Sequence, residues 1–144
     1  MKRAGIGLGL LLIAAPFGYC QESTQPLQLT LKSGKQVYAM GEDKALMLTI
    51  KNATPDPWNI FDGVNTSKII IDGKEYSSRK NFPSAWGGPS TLSPGDEISV
   101  ALSLSAKDGN YDVSEAVFAA GKHNIAVKMN KTVSNTLIIE VKEK

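Results

Sequence analysis

The residues best suited to recognise another molecule lie between positions 79 and 91. Arg79 and Lys80 open this stretch with two cations, and its proline and glycine content rules out regular strand pairing. Two large aromatic residues follow, Phe82 and Trp86. An aromatic ring on a loop buries much apolar area at a small cost in entropy, and protein interfaces are rich in such rings and in arginine. We therefore expect these four side chains to contact a partner protein; the alternative is that the two rings fold back over a small core.

Trp58 raises the same choice, because it follows a loop that two prolines keep out of any strand ladder. Its ring either plugs one end of the core or joins the recognition surface. We therefore regard residues 52–63, together with residues 79–91, as the two candidate binding loops. Trp58 and Trp86 could also stack on sugar rings, which would make the chain a carbohydrate-binding domain.

Acid–base and metal chemistry find little support in the sequence. His123 is the only histidine, and it falls on the apolar face of a predicted strand, where a structural role is commoner than catalysis. Cys20 is the only cysteine, so the domain offers neither a Cys–His pair nor a zinc ligand set. No serine stands in a Gly-x-Ser-x-Gly motif. We therefore expect a protein that is not an enzyme and that needs no metal or cofactor.

The aspartates near predicted loops do not change this expectation. They lack the close alternation of an EF-hand loop, and solvated turn carboxylates explain them better than a calcium site does. These aspartates are Asp56, Asp62 and Asp72.

The first twenty residues have the layout of a secretory signal peptide. Lys2 and Arg3 form a charged start, an apolar run covers residues 6–15, and helix-breaking residues follow it. The run is shorter than the roughly 20 residues that span a bilayer. We therefore expect secretion or a periplasmic location, with residues 1–20 removed and residues 21–26 left as a polar tail.

Cys20 leaves the processing of this segment open. Gly18 and Cys20 are small enough for an ordinary signal-peptidase site, which would start the mature chain at Gln21. The alternative is a lipoprotein that carries its lipid on Cys20 and is anchored to the cell envelope, although Tyr19 stands where a lipobox has a small residue. We expect contact with a membrane only in that second case. As the only cysteine, Cys20 can form no intramolecular disulfide.

Length and charge limit the partners of the exported part. The 144 residues suit one domain, which we place at residues 27–144. Once Lys2 and Arg3 leave with the signal peptide, 14 basic and 14 acidic side chains remain. A nucleic-acid partner normally requires a basic surface, so we expect none.

Alternating apolar residues predict an all-β fold. Three segments show most clearly the period of a strand with one buried face: residues 98–104, 123–129 and 137–141. Such strands need a second layer to cover their apolar faces. The sequence predicts further strands at 27–32, 36–40, 44–51, 68–72 and 75–76, and one locally helical segment of at most two turns within 112–120.

Turn residues between the strands indicate the type of sandwich. Asp72-Gly73 has the composition of a tight hairpin turn, and residues 93–96 read Ser-Pro-Gly-Asp, which is typical of a type II turn. Seven to eight antiparallel strands at this spacing predict a Greek-key sandwich of the immunoglobulin type. We expect the chain to cross between the sheets after residue 105, with three side chains packed on the core there: Tyr111, Val113 and Phe118.

Three pieces of the chain resemble a widespread group of bacterial immunoglobulin-like domains. They are LMLTIKN at 46–52, LSPGD at 92–96 and GKHNIAV at 121–127. The layout resembles the bacterial intracellular proteinase inhibitor family and the non-catalytic β-domains that precede some secreted metallopeptidases, in which a Tyr-Asp-x-Ser segment like residues 111–114 occurs. The resemblance covers most of residues 27–142 and implies the fold, because turn and core residues carry no activity by themselves. This chain differs from the inhibitor family in its export signal.

These observations favour an exported, non-enzymatic module that binds another protein through the end loops at 52–63 and 79–91. The resemblance implies proteinase inhibition as one form of this function, with a protease as the partner. A structural or envelope-associated accessory module remains an alternative, above all if Cys20 is lipidated. A carbohydrate-binding domain is the third interpretation.

Overall fold

The computed structural model of the protein describes residues 27–79 and 88–144. The predicted signal peptide and polar tail, with the lipidation candidate Cys20, lie outside the described residues. In residues 27–79 and 88–144, no helix is long and apolar enough to cross a membrane.

The first sheet has three strands, and each alternates buried and exposed side chains as the sequence predicts. The apolar side chains at every second position face inward, because a strand turns successive side chains to opposite faces. The strands are β1 (Leu27–Ser33), β3 (Ala45–Asn52) and β8 (Glu97–Ser103). They are antiparallel and lie in the order β1-β3-β8.

The second sheet covers the apolar face of the first, and the predicted segment 123–129 lies at its centre. Its strands are β2 (Val37–Ala39), β5 (Lys68–Ile71), β6 (Lys74–Ser77), β9 (Gly121–Met129), β10 (Thr132–Val133) and β11 (Leu137–Lys142). Their order is β2-β11-β9-β5-β6, and β10 pairs with β9. Side chains from both sheets fill the core, with Ile50 of one sheet and Ile125 of the other fully buried. The predicted, mostly β sandwich is confirmed.

One strand pair departs from the antiparallel expectation. β2 runs parallel to β11, with Val37 opposite Glu140 and Ala39 opposite Lys142. The chain leaves β1 in the first sheet, turns, and joins the edge of the second sheet beside β11. The prediction of antiparallel strands throughout is therefore wrong at this edge, because a crossover between sheets sets the direction of a short strand independently of its sequence.

Residues 52–63, predicted as an irregular loop, include the start of a short helix. This helix, α1 (Ile60–Thr66), is capped by Asn59, whose side-chain oxygen accepts hydrogen bonds from the backbone N–H groups of Phe61 (3.0 Å) and Asp62 (3.3 Å). At seven residues, α1 is too short to show a helical period against the neighbouring loop. The sequence predicts no helix in this segment, and that prediction is wrong.

The predicted helical segment within 112–120 is confirmed as a single turn of 3-10 helix, Glu115–Phe118. The three side chains expected to pack against the core here are all buried. They are Tyr111, Val113 and Phe118.

Both predicted turns are confirmed, and both use left-handed backbone. Asp72 and Gly73 have φ angles of 50° and 84° between β5 and β6. Gly95 has a φ of 83°, and the N–H of Asp96 donates to the carbonyl oxygen of Ser93 (3.1 Å). Glycine adopts such angles without a steric penalty, and aspartate tolerates them better than most residues.

Candidate functional site

The first predicted binding loop pairs with the described end of the second. β4 (Trp58–Asn59) in the first loop pairs with β7 (Thr91–Leu92) at the end of the second, in a separate two-stranded sheet. The backbone N–H of Ile60 also donates to the carbonyl oxygen of Ser90 (3.0 Å). Because β7 leads through one turn directly into β8, the paired loops are joined to the three-stranded sheet.

Asn52 fixes the base of the first loop with a buried amide. Its nitrogen donates to the carbonyl oxygens of Asp56 (2.8 Å) and Leu92 (2.9 Å). Its side-chain oxygen accepts from the backbone N–H (3.0 Å) and the hydroxyl (2.7 Å) of Thr54. We call these four residues the Asn52 network. A fully buried amide with all partners satisfied holds a loop in one conformation.

Trp58 is half-buried and packs against the core beside α1. A Cβ atom on Gly63 would lie 2.0 Å from Cζ2 of the Trp58 ring, so the indole rests directly on the glycine backbone. This position favours the interpretation of Trp58 as a plug of the core. Its contact with a partner stays a prediction.

Arg79 clamps the other side of the second loop. Its backbone N–H donates to the carbonyl oxygen of Asn110 (2.9 Å). Its guanidinium donates from Nη1 to the carbonyl oxygen of Lys107 (2.7 Å) and from Nη2 to that of Ala106 (2.5 Å). The guanidinium is therefore engaged within the chain, and its predicted contact with a partner is not tested. The other predicted contact residues in this loop lie outside the described residues: Lys80, Phe82 and Trp86.

A second polar cluster, which sequence reasoning did not find, surrounds His123. The histidine side chain is buried on the inward face of β9, and the residue is only 7% exposed. Its Nδ1 lies 2.6 Å from Oδ2 of Asp72, and its Nε2 lies 2.7 Å from the carbonyl oxygen of Ala119. The histidine thus joins the turn between β5 and β6 to the end of the 3-10 helix. The predicted structural role of His123 agrees with this position.

Asp72 is bound on both carboxylate oxygens. Besides the contact with His123, its Oδ1 accepts from the backbone N–H of Asn124 (2.9 Å). The hydrogen bond from Asn124, followed by the one with His123, holds the pKa of Asp72 below its usual value. The group is therefore a carboxylate at neutral pH. The expectation that Asp72 is a merely solvated turn carboxylate is corrected, although its side chain is 44% exposed.

Phe118 connects His123 to a buried lysine. The two rings meet edge-on with their centroids 5.6 Å apart, and Nζ of Lys44 lies 4.7 Å from the centroid of the Phe118 ring. Lys44 donates to the carbonyl oxygen of Glu42 (2.6 Å), and burial lowers the pKa of its ammonium group. Lys44 and Phe118 line a cavity of about 70 Å³ together with Glu115. The His123 cluster, as named below, consists of Lys44, Asp72, Phe118, Ala119 and His123.

The chemistry of the His123 cluster suits holding segments together. Both ring nitrogens of His123 lie within hydrogen-bond distance of oxygen atoms of the protein itself. In residues 27–79 and 88–144, no three His, Cys, Asp or Glu side chains lie close enough to hold a metal ion. Asp72 and His123 are 51 positions apart, and only the neighbouring positions of β5 and β9 bring them together, so no local motif could have shown the pair.

Comparison with known proteins finds likeness in fold without a sequence family. No protein-family model matches the chain, and no curated protein matches it. The alkylpurine DNA glycosylase AlkC of Pseudomonas fluorescens, solved bound to DNA with an abasic site analogue, matches with a TM-score of 0.54 at 16% identity, over 81% of this chain and 30% of that one.

The CARDB domain of a Pyrococcus furiosus protein matches in two structures. The solution NMR structure has a TM-score of 0.46 at 15% identity, and the crystal structure with di-metal ions has 0.49 at 14% identity. They cover 81% and 82% of this chain and 94% of the domain. CARDB domains belong to the immunoglobulin-like β-sandwiches. At these identities the likeness concerns the fold alone, and the resemblance to the proteinase inhibitor family stays a prediction.

Proposed function

We propose that the protein is an exported, non-enzymatic β-sandwich module that recognises another protein through residues 52–63 and 79–91. The pairing of β4 with β7 carries this proposal, because it makes two separate candidate loops into neighbours. Loops held by a rigid sandwich are a frequent place for recognition.

Contacts at the described ends of the two loops also support the proposal. Asn52 bonds to Leu92, just after the second loop, as well as to its own loop. Arg79 is clamped to the segment that follows β8. A loop with fixed ends loses less conformational entropy on binding, so aromatic anchors such as Phe82 and Trp86 would gain more affinity from such a frame.

Affinity capture with the purified protein tests the assignment of the loops. We expect the wild-type protein to capture partner proteins that the double variant Phe82→Ala/Trp86→Ala does not capture. The matched control is Met47→Ala, because Met47 is exposed on the outer face of β3 and lies in neither loop. Thermal unfolding of all three proteins checks that each is folded. Equal recovery of the same partners by the double variant would contradict the proposal.

Proteinase inhibition is the sharper form of the same function. We expect the protein to lower the activity of a bacterial serine protease and Trp86→Ala to abolish this effect, while Met47→Ala keeps it. If a panel of secreted and periplasmic proteases is unaffected by the wild-type protein, the inhibitor form is wrong, and the binding function is then judged by affinity capture alone.

An envelope-associated accessory lipoprotein is the alternative, and Cys20 decides it. Mass spectrometry of the mature N-terminus distinguishes a lipid-modified Cys20 from a chain that starts at Gln21. A lipid would place the module at a membrane surface and favour the accessory role. A carbohydrate-binding role has less support, because one side of the Trp58 ring rests on Gly63.

A further inference from the structure

The ring of His123 faces two hydrogen-bond acceptors at once. A carboxylate oxygen of Asp72 lies 2.6 Å from Nδ1, and the carbonyl oxygen of Ala119 lies 2.7 Å from Nε2. Neither group can donate a hydrogen, so both contacts are hydrogen bonds only when both ring nitrogens carry protons. The observed geometry therefore matches the imidazolium form of the side chain.

We propose that His123 is a pH-sensitive latch, which holds residues 115–120 against the sandwich while its ring is doubly protonated and releases them when the ring loses a proton. The latch acts on the fold and is independent of the binding function proposed above.

The strength of the two contacts decides which of them is lost. The contact with Asp72 is charge-assisted, and a hydrogen bond to a carboxylate is stronger than one to a neutral carbonyl. A neutral ring therefore keeps its proton on Nδ1, toward Asp72. The lone pair of Nε2 then faces the carbonyl oxygen of Ala119 at 2.7 Å, which is repulsive. The end of the 3-10 helix is the side that separates.

Release of this helix also changes the surroundings of Lys44. Phe118 is the last residue of the helix, and it lies between His123 and Nζ of Lys44. Phe118 and Glu115 line the cavity of about 70 Å³ beside Lys44. Movement of the helix therefore opens this cavity and exposes a lysine that the latched form keeps only 3% exposed.

The charges around His123 come from three elements. Asp72, in the turn between β5 and β6, contacts the ring through a carboxylate oxygen. Glu115 of the 3-10 helix has a charge of the same sign as Asp72, and Lys44, just before β3, has a charge of the opposite sign. From β11 the residue opposite is Ile139, which carries no charge. Of these charged groups, Asp72 is the one in direct contact with the ring.

NMR of the purified protein between about pH 5 and about pH 8, the interval in which histidines commonly titrate, tests the latch. We expect both ring nitrogens of His123 to be protonated at the lower end and Nε2 to lose its proton as the pH rises. Over the same interval, amide exchange at Val117, which donates to Ser114 (3.1 Å), should become about three- to tenfold faster after correction for intrinsic rates, as for loss of one hydrogen bond.

Internal and matched controls make this result specific. Thr54, whose amide bonds to Asn52, should keep constant protection, because its hydrogen bond involves no titratable side chain. His123→Gln should remove the pH dependence at Val117, whereas Lys122→Gln, at an exposed neighbouring position, should keep it.

Asp72→Asn gives an independent outcome if His123→Gln proves unstable. A carboxamide stabilises the imidazolium less than a carboxylate does, so release should occur at a lower pH in this variant. The proposal is overturned if the neutral ring carries its proton on Nε2, if Val117 exchange does not change while His123 titrates, or if Asp72→Asn leaves the pH of release unchanged. A purely structural histidine would lower stability without these changes.

Discussion

The Asn52 network and the His123 cluster both tie an irregular segment to the sandwich, but with different chemistry. Asn52 satisfies four partners with one neutral amide, on the side where β4 and β7 join the two candidate loops. His123 joins a turn to the 3-10 helix through contacts with a carboxylate and a backbone carbonyl group. The amide network contains no titratable side chain, whereas the latch proposed above makes the His123 cluster depend on the protonation of the ring.

This difference shows how one small core can be rigid in one place and adjustable in another. The neutral network fixes the base of the first loop proposed to recognise a partner and joins it to Leu92, just after the second. The titratable contacts lie at the other segment, around the 3-10 helix and Lys44. The predictions below separate the two regions, beginning with the change that should cost most.

Asn52→Ala should have the largest effect. It removes four hydrogen bonds made by one fully buried amide, and a lost hydrogen bond with a buried partner costs about 1–3 kcal/mol, without being additive. We expect the free energy of unfolding to fall by about 3 kcal/mol or more, measured by urea denaturation. Asn124→Ala is the matched control, because the Asn124 side chain is exposed and its bonds to Asp72 come from its backbone groups. A loss below about 1 kcal/mol would show that the network does not hold the loop.

Gly63→Ala should give the second-largest loss of stability. It changes packing near the Asn52 network and removes no hydrogen bond of either region. The added methyl group would meet the Trp58 ring at 2.0 Å, and forced overpacking typically costs about 1–3 kcal/mol. A double-mutant cycle with Trp58→Ala checks the cause: removal of the ring should abolish most of the cost of Gly63→Ala. Additive effects would place the cost in the helix backbone instead.

Asp72→Asn should have a smaller effect and a distinct pH signature. The pKa of Asp72 is lowered in the folded protein, so its contribution to stability is present above the pKa of the unfolded chain and is lost as the pH falls through the folded value. We expect the variant to lose about 1 kcal/mol at neutral pH, as for a partly exposed ion pair, and to show a flatter loss of stability below about pH 4. Urea midpoints across the acid range measure this, and an unchanged acid slope would contradict it.

Thr132→Val should give the smallest change, with the opposite sign. Its hydroxyl oxygen is buried and has no hydrogen-bond partner in the part of the chain that the structure describes. The side chains of Asn52 and His123, in contrast, have such partners. Valine has nearly the same shape and removes the cost of the unpaired group, so we expect a gain of about 1 kcal/mol in urea denaturation. A loss of stability would show that the hydroxyl is satisfied by bound water.

The local patterns of the sequence predict much of the fold and little of the site. The alternation at 98–104 and 123–129 predicts β8 and β9, because burial on one face imposes a period of two. The helix α1 is missed, since its seven residues, about two turns, are too few to show a helical period. The parallel pairing of β2 is missed for a different reason: the partner of a short edge strand is set by where the crossover ends.

The candidate site likewise has features that the sequence predicts and features that depend on the tertiary structure. Composition predicts irregular segments at 52–63 and 79–91, but the prediction that no ladder forms there is wrong where Trp58–Asn59 pairs with Thr91–Leu92, because that pair lies after the prolines of one segment and at the end of the other. The placement of Trp58 on Gly63 and the internal use of the Arg79 guanidinium depend on what lies opposite each side chain. Neither is a property of the residues next to them in the chain.

The sequence by itself determined that the protein is a layered β structure, since strand periodicity and turn chemistry are local properties that water and backbone sterics enforce wherever they occur. Only the tertiary structure decided that Asn52 reaches Leu92, 40 positions away, and that His123 meets Asp72, 51 positions away. These contacts depend on the order of strands within each sheet. That order follows from how the apolar faces of all the strands are buried together, and no single segment encodes it.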